Sequence, residues 1–384
     1  MRRTHLRALG GVVIVAALAM TAACQKSGSS STTSAAKCGG KIGIFGAFTG
    51  GDSGLVLPSR DGAKLAVKKF NAANPNCKVT MEEFDTEGDP TKATPVATKL
   101  AADTSFVGVI GGHFSGESRA TAPTFEAASM AMVAPSATAS DLTTKGWTVF
   151  HRVVANDSVQ GPAAGRYIKE ILKAQKVVVV DDGTAYGAPL ADAVAQVLGS
   201  TVIGRDKTQS KQTNFDATVA KVKNLGADAV FYGGYTNEAS PFLKQLRQAG
   251  VTAKFIGGDG INDANFPPGA GTAESEGAIL TCPCLPADKS TGTFAADFKA
   301  EYGQDPGTYA AEGYDSANIF LDAFKAGKTT RKDIEDFVNS YDKDGVTKHI
   351  KFDSHGDVDA SVTVIWAYKV QSGKIVADQV IPKS

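Results

Sequence analysis

Residues Val107 to Thr138 read VGVIGGHFSGESRATAPTFEAASMAMVAPSAT. Val107 to Ile110 is a short apolar run that suits a buried parallel strand, and Gly111-Gly112 breaks it. A helix is expected to begin near Gly116, with Ser115 just ahead of it and Glu117 in its first turn. The next apolar run, Met130 to Ala134, ends at Pro135-Ser136-Ala137-Thr138. Strand, turn, helix, strand, turn is the unit of an open α/β sheet, whose strands present their carboxyl ends to one crevice. Ser115, Ser136 and Thr138 should converge there, offering hydroxyls and N–H groups beside a helix N-terminus. That combination suits a small anion such as a carboxylate. Capping and turn formation are the competing duties of the same residue types.

Outward from this stretch the alternation continues. Ile42 to Phe45 reads as the first strand, Asp61 to Asn74 as an amphipathic helix, Val79 to Phe84 as a strand and Pro90 to Ala102 as a helix. After Asn156 the pattern restarts with a helix over Gly161 to Ala174. Val177 to Val180 is an all-β-branched strand that must be buried on both faces. Helices over Tyr186 to Leu198, Phe215 to Leu225 and Glu238 to Gln248 alternate with strands near Val202, at Ala229 to Tyr232, at Phe255-Ile256 and at Ala278 to Thr281. Beyond Pro286 helices dominate (Phe294 to Tyr302, Tyr309 to Lys325, Lys332 to Tyr341). A strand-rich tail follows at Ile350 to Phe352, Val362 to Val370 and Ile375 to Val380. Two α/β blocks, then helices, then a late hairpin suggest interleaved lobes, each a doubly wound, mainly parallel sheet.

The pairing of VIGG-HFS with VAPSAT resembles the leucine/isoleucine/valine-binding proteins of ABC importers, and the likeness extends over nearly all of Lys41 to Val380. It implies a two-lobed type I periplasmic binding fold with three hinge crossings. The lobes would comprise 39–156 with 285–352, and 157–284 with 353–384. It implies that Ser115 and Thr138 hold an amino-acid carboxylate, with Ser136 and Ala137 adding backbone groups. Asp259, in GGDG after a strand of the second block, matches an acidic residue that binds the α-ammonium; the family often has Glu there. Tyr235 matches a tyrosine that brings a hydroxyl and a ring wall from the second lobe, and Tyr186 matches an aromatic lining the cleft. Leu55 stands where the family has an aromatic beside the ligand side chain. A branched-chain or related small amino acid is the implied ligand, and a membrane permease the implied partner.

The 384 residues are 42% hydrophobic and 21% charged with a formal net charge of +0, ordinary for a globular protein of two or three domains. No long basic run follows the first ten residues, which argues against nucleic acid. Arg2, Arg3 and Arg7, then the apolar Ala8 to Met20, then Thr21-Ala22-Ala23-Cys24 read as a processing segment over 1–23. Small residues before Cys24 resemble a bacterial lipoprotein signal, so Cys24 is the expected lipid anchor to the outer face of the cytoplasmic membrane. A Ser/Thr-rich tether over 24–38 follows. Export permits disulfides: Cys38 and Cys77 each precede a predicted strand, and Cys282-Pro283-Cys284 could close on itself, a lone CxC metal site being the rival.

No cofactor or metal is expected. The glycine-rich loop Phe48 to Leu55 lacks G-x-G-x-x-G, and Gly327-Lys328-Thr329 lacks the upstream P-loop glycine, where Asp322 stands. Ser115 lacks a nucleophile elbow, since His113 occupies its first glycine position. The expectation is therefore a monomeric binding receptor rather than an enzyme. The alternatives are a ligand-sensing lipoprotein for a short amide or other small molecule, and an exported hydrolase using Ser115 and His113.

Overall fold

The computed structural model describes residues 38–383. The processing segment, Cys24 and all of the tether but its last residue lie outside the described residues. The first sheet is built from β1 (Gly40–Gly46), β2 (Val79–Asp85), β3 (Phe106–Ile110), β4 (Ala131–Ala134) and β5 (Phe150–Arg152). Helices α1 (Ser53–Ala73), α2 (Pro90–Ala102) and α3 (Ser115–Ala127) connect its first four strands. The chain then runs through α4 (Asp157–Arg166), β6 (Val177–Asp181), α5 (Gly187–Leu198), β7 (Val202–Lys207), α6 (Asp216–Leu225) and β8 (Ala229–Gly233). It continues with α7 (Thr236–Gln248), β9 (Lys254–Gly257), α8 (Phe266–Ala270), α9 (Thr272–Ser275) and β10 (Ile279–Cys282). Three helices follow, α10 (Phe294–Tyr302), α11 (Ala310–Lys325) and α12 (Arg331–Asn339). A small ribbon, β11 (Asp342–Asp344) with β12 (His349–Lys351), precedes the hairpin β13 (Trp366–Gln371) and β14 (Lys374–Val380).

The first sheet has the order β2-β1-β3-β4-β5 and is parallel throughout. The second has the order β14-β13-β10-β9-β8-β6-β7, with only the late hairpin antiparallel. Counted from β6, its parallel part repeats the strand order of the first sheet. Each sheet therefore has a topological switch point, at β1/β3 and at β6/β8, and a crevice outside the carboxyl ends there.

Strand periodicity explains why both sheets are covered twice. Ile42 and Ile44 pack with α1, α11 and α12 on one face, while Phe45 joins α2 and α3 on the other. Val177 and Val179 bury against α4 and α5, and Val178 and Val180 against α6 and α7. The packing of α11 and α12 beneath the first sheet means the chain passes between sheets after β5, after β10 and after β12.

Two bridges join the expected cysteines. Cys38 bonds Cys77 at the amino end of β1 and β2, and Cys282 bonds Cys284 at the second passage between sheets. Several boundaries move. The first helix starts at Ser53, so Leu55 lies on α1 rather than in the glycine-rich loop. Ser115 is the first residue of α3, preceded by the extended Phe114. The helix expected from Gly161 starts at Asp157, because the Asn156 side chain caps it by accepting from Ser158 N at 2.9 Å. The three-residue β5 was not anticipated, being too short for a periodic signal.

Candidate functional site

The turns after β3 and β4 bring Ser115 and Thr138 to one place. Ser115 Oγ accepts from Ala139 N at 3.1 Å, which leaves its O–H free to donate. Thr138 is 1% exposed, yet its Oγ1 has no hydrogen-bond partner among the described residues. The Ser136 hydroxyl is used differently: it donates to His113 O at 2.8 Å and pins one turn to the other. Ala137, buried between them, carries no polar side-chain atom. Leu55 is buried in the same apolar cluster as Phe114, Val154, Ile261 and Tyr309.

Beyond these hydroxyls lies an acidic and phenolic cluster. Asp259, 3% exposed, follows β9 and accepts from Tyr186 Oη at 2.8 Å and from Tyr309 Oη at 2.7 Å. Tyr186 Oη also accepts from Gly260 N at 3.0 Å, so one phenol organises the whole GGDG turn. The spacing inside that turn is tight: a Cβ on Gly258 would lie 2.3 Å from Tyr186 Oη. Burial raises the Asp259 carboxyl above its ordinary range, opposed by the Tyr309 and Tyr186 donors.

Asp157 is a second buried carboxylate. It opens α4, is 2% exposed, and neither carboxyl oxygen has a partner among the described residues. Burial pushes it well above the usual carboxylate range, and the Asp259 charge adds to the rise. Desolvation also holds Tyr186, Tyr235 and Tyr309 protonated, so they serve as donors. A site that gathers two desolvated carboxylates and neutral hydroxyls is built for a cation joined to a hydrogen-bond acceptor.

Sequence reading missed Asp157 and Tyr309. For Asp157 the Asn156-Asp157-Ser158 capping pattern was the available signal. Tyr309 had none: it holds φ +63° immediately before α11, a conformation uncommon outside glycine and imposed by its surroundings.

At the rim, Phe114 packs edge-on against Tyr235 with centroids 5.0 Å apart, and Tyr235 lies 5.0 Å from Tyr186. Asn237 N and Nδ2 donate to Asp52 at 3.2 and 2.8 Å, a further tie between the sheets' two loop sets. Phe114, Tyr235, Asp52 and Glu238 line a cavity of about 470 Å³. Glu238, expected as a helix-start charge, is buried and accepts from Lys211 N, and burial pushes it up to about 7. A larger cavity of about 760 Å³, lined by Pro58, Pro286, Pro306 and Tyr368 among others, includes none of the site residues. Its size alone gives it no chemistry, and the buried carboxylates mark the more informative place.

The hydrolase arrangement does not form. His113 Nδ1 meets Phe45 O at 2.8 Å and Nε2 meets Ser59 Oγ at 3.2 Å, so neither ring nitrogen is left for Ser115. Burial also lowers His113 to about 4, too weak a base to activate a hydroxyl.

The periplasmic binding protein family model matches residues 40–374. The Leucine-, isoleucine-, valine-, threonine-, and alanine-binding protein of Pseudomonas aeruginosa is 29% identical over 326 residues, covering 83% of this chain and 87% of that protein. The Leu/Ile/Val-binding protein of Escherichia coli K12 is 32% identical over 248 residues, 63% of this chain and 67% of that one. Among solved structures, the isoleucine complex of the branched-chain amino acid transporter substrate binding protein LivJ from Streptococcus pneumoniae superposes with a TM-score of 0.83. It is 27% identical and covers 89% of this chain and 99% of its own.

Proposed function

Because the chain belongs to the periplasmic binding protein family, we propose that it is the extracytoplasmic receptor of an ABC importer and closes two lobes around a branched-chain or related small amino acid. The observation that carries this reading is the gathering of opposite chemistries in one crevice. Ser115 and the unpartnered Thr138 Oγ1 offer neutral donors to a carboxylate, while Asp157 and Asp259 offer two desolvated acceptors to an ammonium. An ammonium between them would reverse the burial-driven rise of both carboxyls. Tyr186, Tyr235 and Tyr309 wall the remaining space, with Leu55 behind them.

A zwitterion bound this way touches both lobes, and only such differential contacts favour the closed arrangement. The three passages between sheets act as hinges, with lobes of 39–156 plus 285–352 and 157–284 plus 353–384. The protein binds rather than transforms its ligand. It works as a monomer, held by lipid on Cys24 at the outer face of the cytoplasmic membrane, and delivers the amino acid to a permease.

Ligand-induced thermal shift of the full chain against amino acids and short amides tests this, since a ligand of the folded state raises Tm above its dissociation constant. Leucine, isoleucine, valine, threonine or alanine should raise it. Asp259→Asn should weaken the best of them about 10- to 100-fold, the scale of a lost charge-assisted bond of about 1.5–3 kcal/mol. Unchanged affinity in that variant would overturn the ammonium assignment, and a shift with amides alone would favour the sensor reading.

A further inference from the structure

Arg152 ends β5 with a side chain that is 0% exposed, the most costly kind of residue to bury. Four of the five N–H donors of its guanidinium have partners among the described residues. Nη1 donates to Ala137 O at 3.1 Å and to Ala139 O at 2.8 Å, and Nη2 donates to Thr143 Oγ1 at 3.1 Å. Nε pairs with the Asp357 carboxylate, whose Oδ2 also accepts from Thr143 Oγ1 at 2.8 Å and from Asn156 Nδ2 at 3.0 Å. Asp357 comes from the turn that follows β12, and that turn is locked against β5. Arg152 N donates to Gly356 O at 3.0 Å, and Gly356 holds φ +87° where a Cβ would lie 2.0 Å from Phe150 O.

The consequence falls on the turn after β4. A trans peptide is planar, with its C=O and the following N–H on opposite sides. Ala137 O is drawn back to Arg152, so the Thr138 N–H of the same peptide is sent the other way. Thr138 O is drawn to Asp157 N at 2.8 Å, and the Ala139 N–H of that peptide does turn to the opposite partner, Ser115 Oγ. We propose that Arg152, braced by Asp357, is a positioning residue for ligand binding: by holding the carbonyls of Ala137 and Ala139 it aims the Thr138 N–H into the crevice as a fixed donor for the ligand carboxylate. The arrangement needs a fork of donors at fixed angles, which Arg supplies and Lys does not. This inference rests on the amino-acid reading of the site, and it assigns a role to a residue that the ligand never touches.

The test uses calorimetric titration of the full chain with whichever of leucine, isoleucine, valine, threonine or alanine binds tightest, and with its primary amide. The amide keeps the ammonium and the side chain and loses the anionic charge. Arg152→Met is expected to weaken the amino acid at least tenfold and the amide less than threefold, with Arg152→Lys in between. Equal loss for both ligands, or no loss, would overturn the positioning role while leaving the amino-acid reading intact. A wild-type chain that binds none of the five would overturn both. A measurement without any variant guards against misfolding: the Thr138 backbone amide resonance should move downfield with the amino acid and much less with its amide. Equal movement with both would overturn the role.

Discussion

The Tyr309 hydroxyl donates to Asp259 Oδ2 at 2.7 Å. It joins a residue at the head of α11, which packs under the first sheet, to the turn after β9 in the second. This bond spans the crevice, so it contributes only while the two walls are together. Tyr309→Phe removes the hydroxyl and keeps the ring. Loss of one charge-assisted bond should weaken amino-acid binding about tenfold. Calorimetry checks this, and tighter binding would mean that the hydroxyl competes with the ammonium for Asp259.

Gly258 permits the approach of Tyr186 for steric reasons alone, since its φ of −82° suits any residue. A Cβ there would meet Tyr186 Oη at 2.3 Å and Leu190 Cδ2 at 2.6 Å. Gly258→Ala should displace the phenol from Asp259 and weaken binding about tenfold or more, with overpacking costing about 1–3 kcal/mol of stability. Titration beside a thermal melt separates the two effects. Wild-type affinity in this variant would show that Tyr186 does not orient Asp259.

Glu312 on α11 is 0% exposed, with Oε1 accepting from Leu285 N at 2.8 Å and Oε2 without a partner among the described residues. Burial pushes it up to about 7, with the half-buried Lys348 lowering it and Asp315 raising it. The folded chain therefore holds a proton that the unfolded chain has lost between the ordinary value of 4.5 and about 7. Stability from this group is full below the lower value, falls as pH rises through the window, and stays reduced above it. Glu312→Gln keeps the acceptor for Leu285 and removes the charge. Its melting curve should depend less on pH across that window, and its Tm at pH 8 should exceed wild type by about 2–4 °C. A parallel pH profile in both proteins would exclude Glu312 as a source of the dependence.

The Cys38–Cys77 bridge closes a separation of 39 residues at the amino ends of β1 and β2, the end of the sheet away from the crevice. Replacing both cysteines by serine should cost about 2–4 kcal/mol, by releasing the unfolded chain. Amino-acid affinity should not change, because the bridge lies at the amino ends of β1 and β2 and the crevice at the carboxyl ends. A drop in affinity would link this end of the sheet to the site.

What the sequence by itself determined was everything that local order controls. Runs such as Val177 to Val180 and the glycines that end them declare buried parallel strands, because a strand covered on both faces cannot be polar on either. Parallel strands share the direction of their carboxyl ends, so residues just past them were legible as crevice residues: Ser115, Thr138, Tyr186, Tyr235 and Asp259 all follow strand ends. Tertiary structure alone decided what those residues do. Ser136 and Ser115 look alike in sequence, yet one hydroxyl pins a turn and the other keeps its hydrogen free. Tyr309 and Arg152 reach the crevice and its supporting turn through contacts with residues far along the chain. The Arg152–Asp357 pair spans 205 positions and the Tyr309–Asp259 bond spans 50. Such partners are chosen by how two sheets pack, and only the desolvation that packing imposes turns an ordinary turn carboxylate or a strand-end arginine into a group that must find its counterpart.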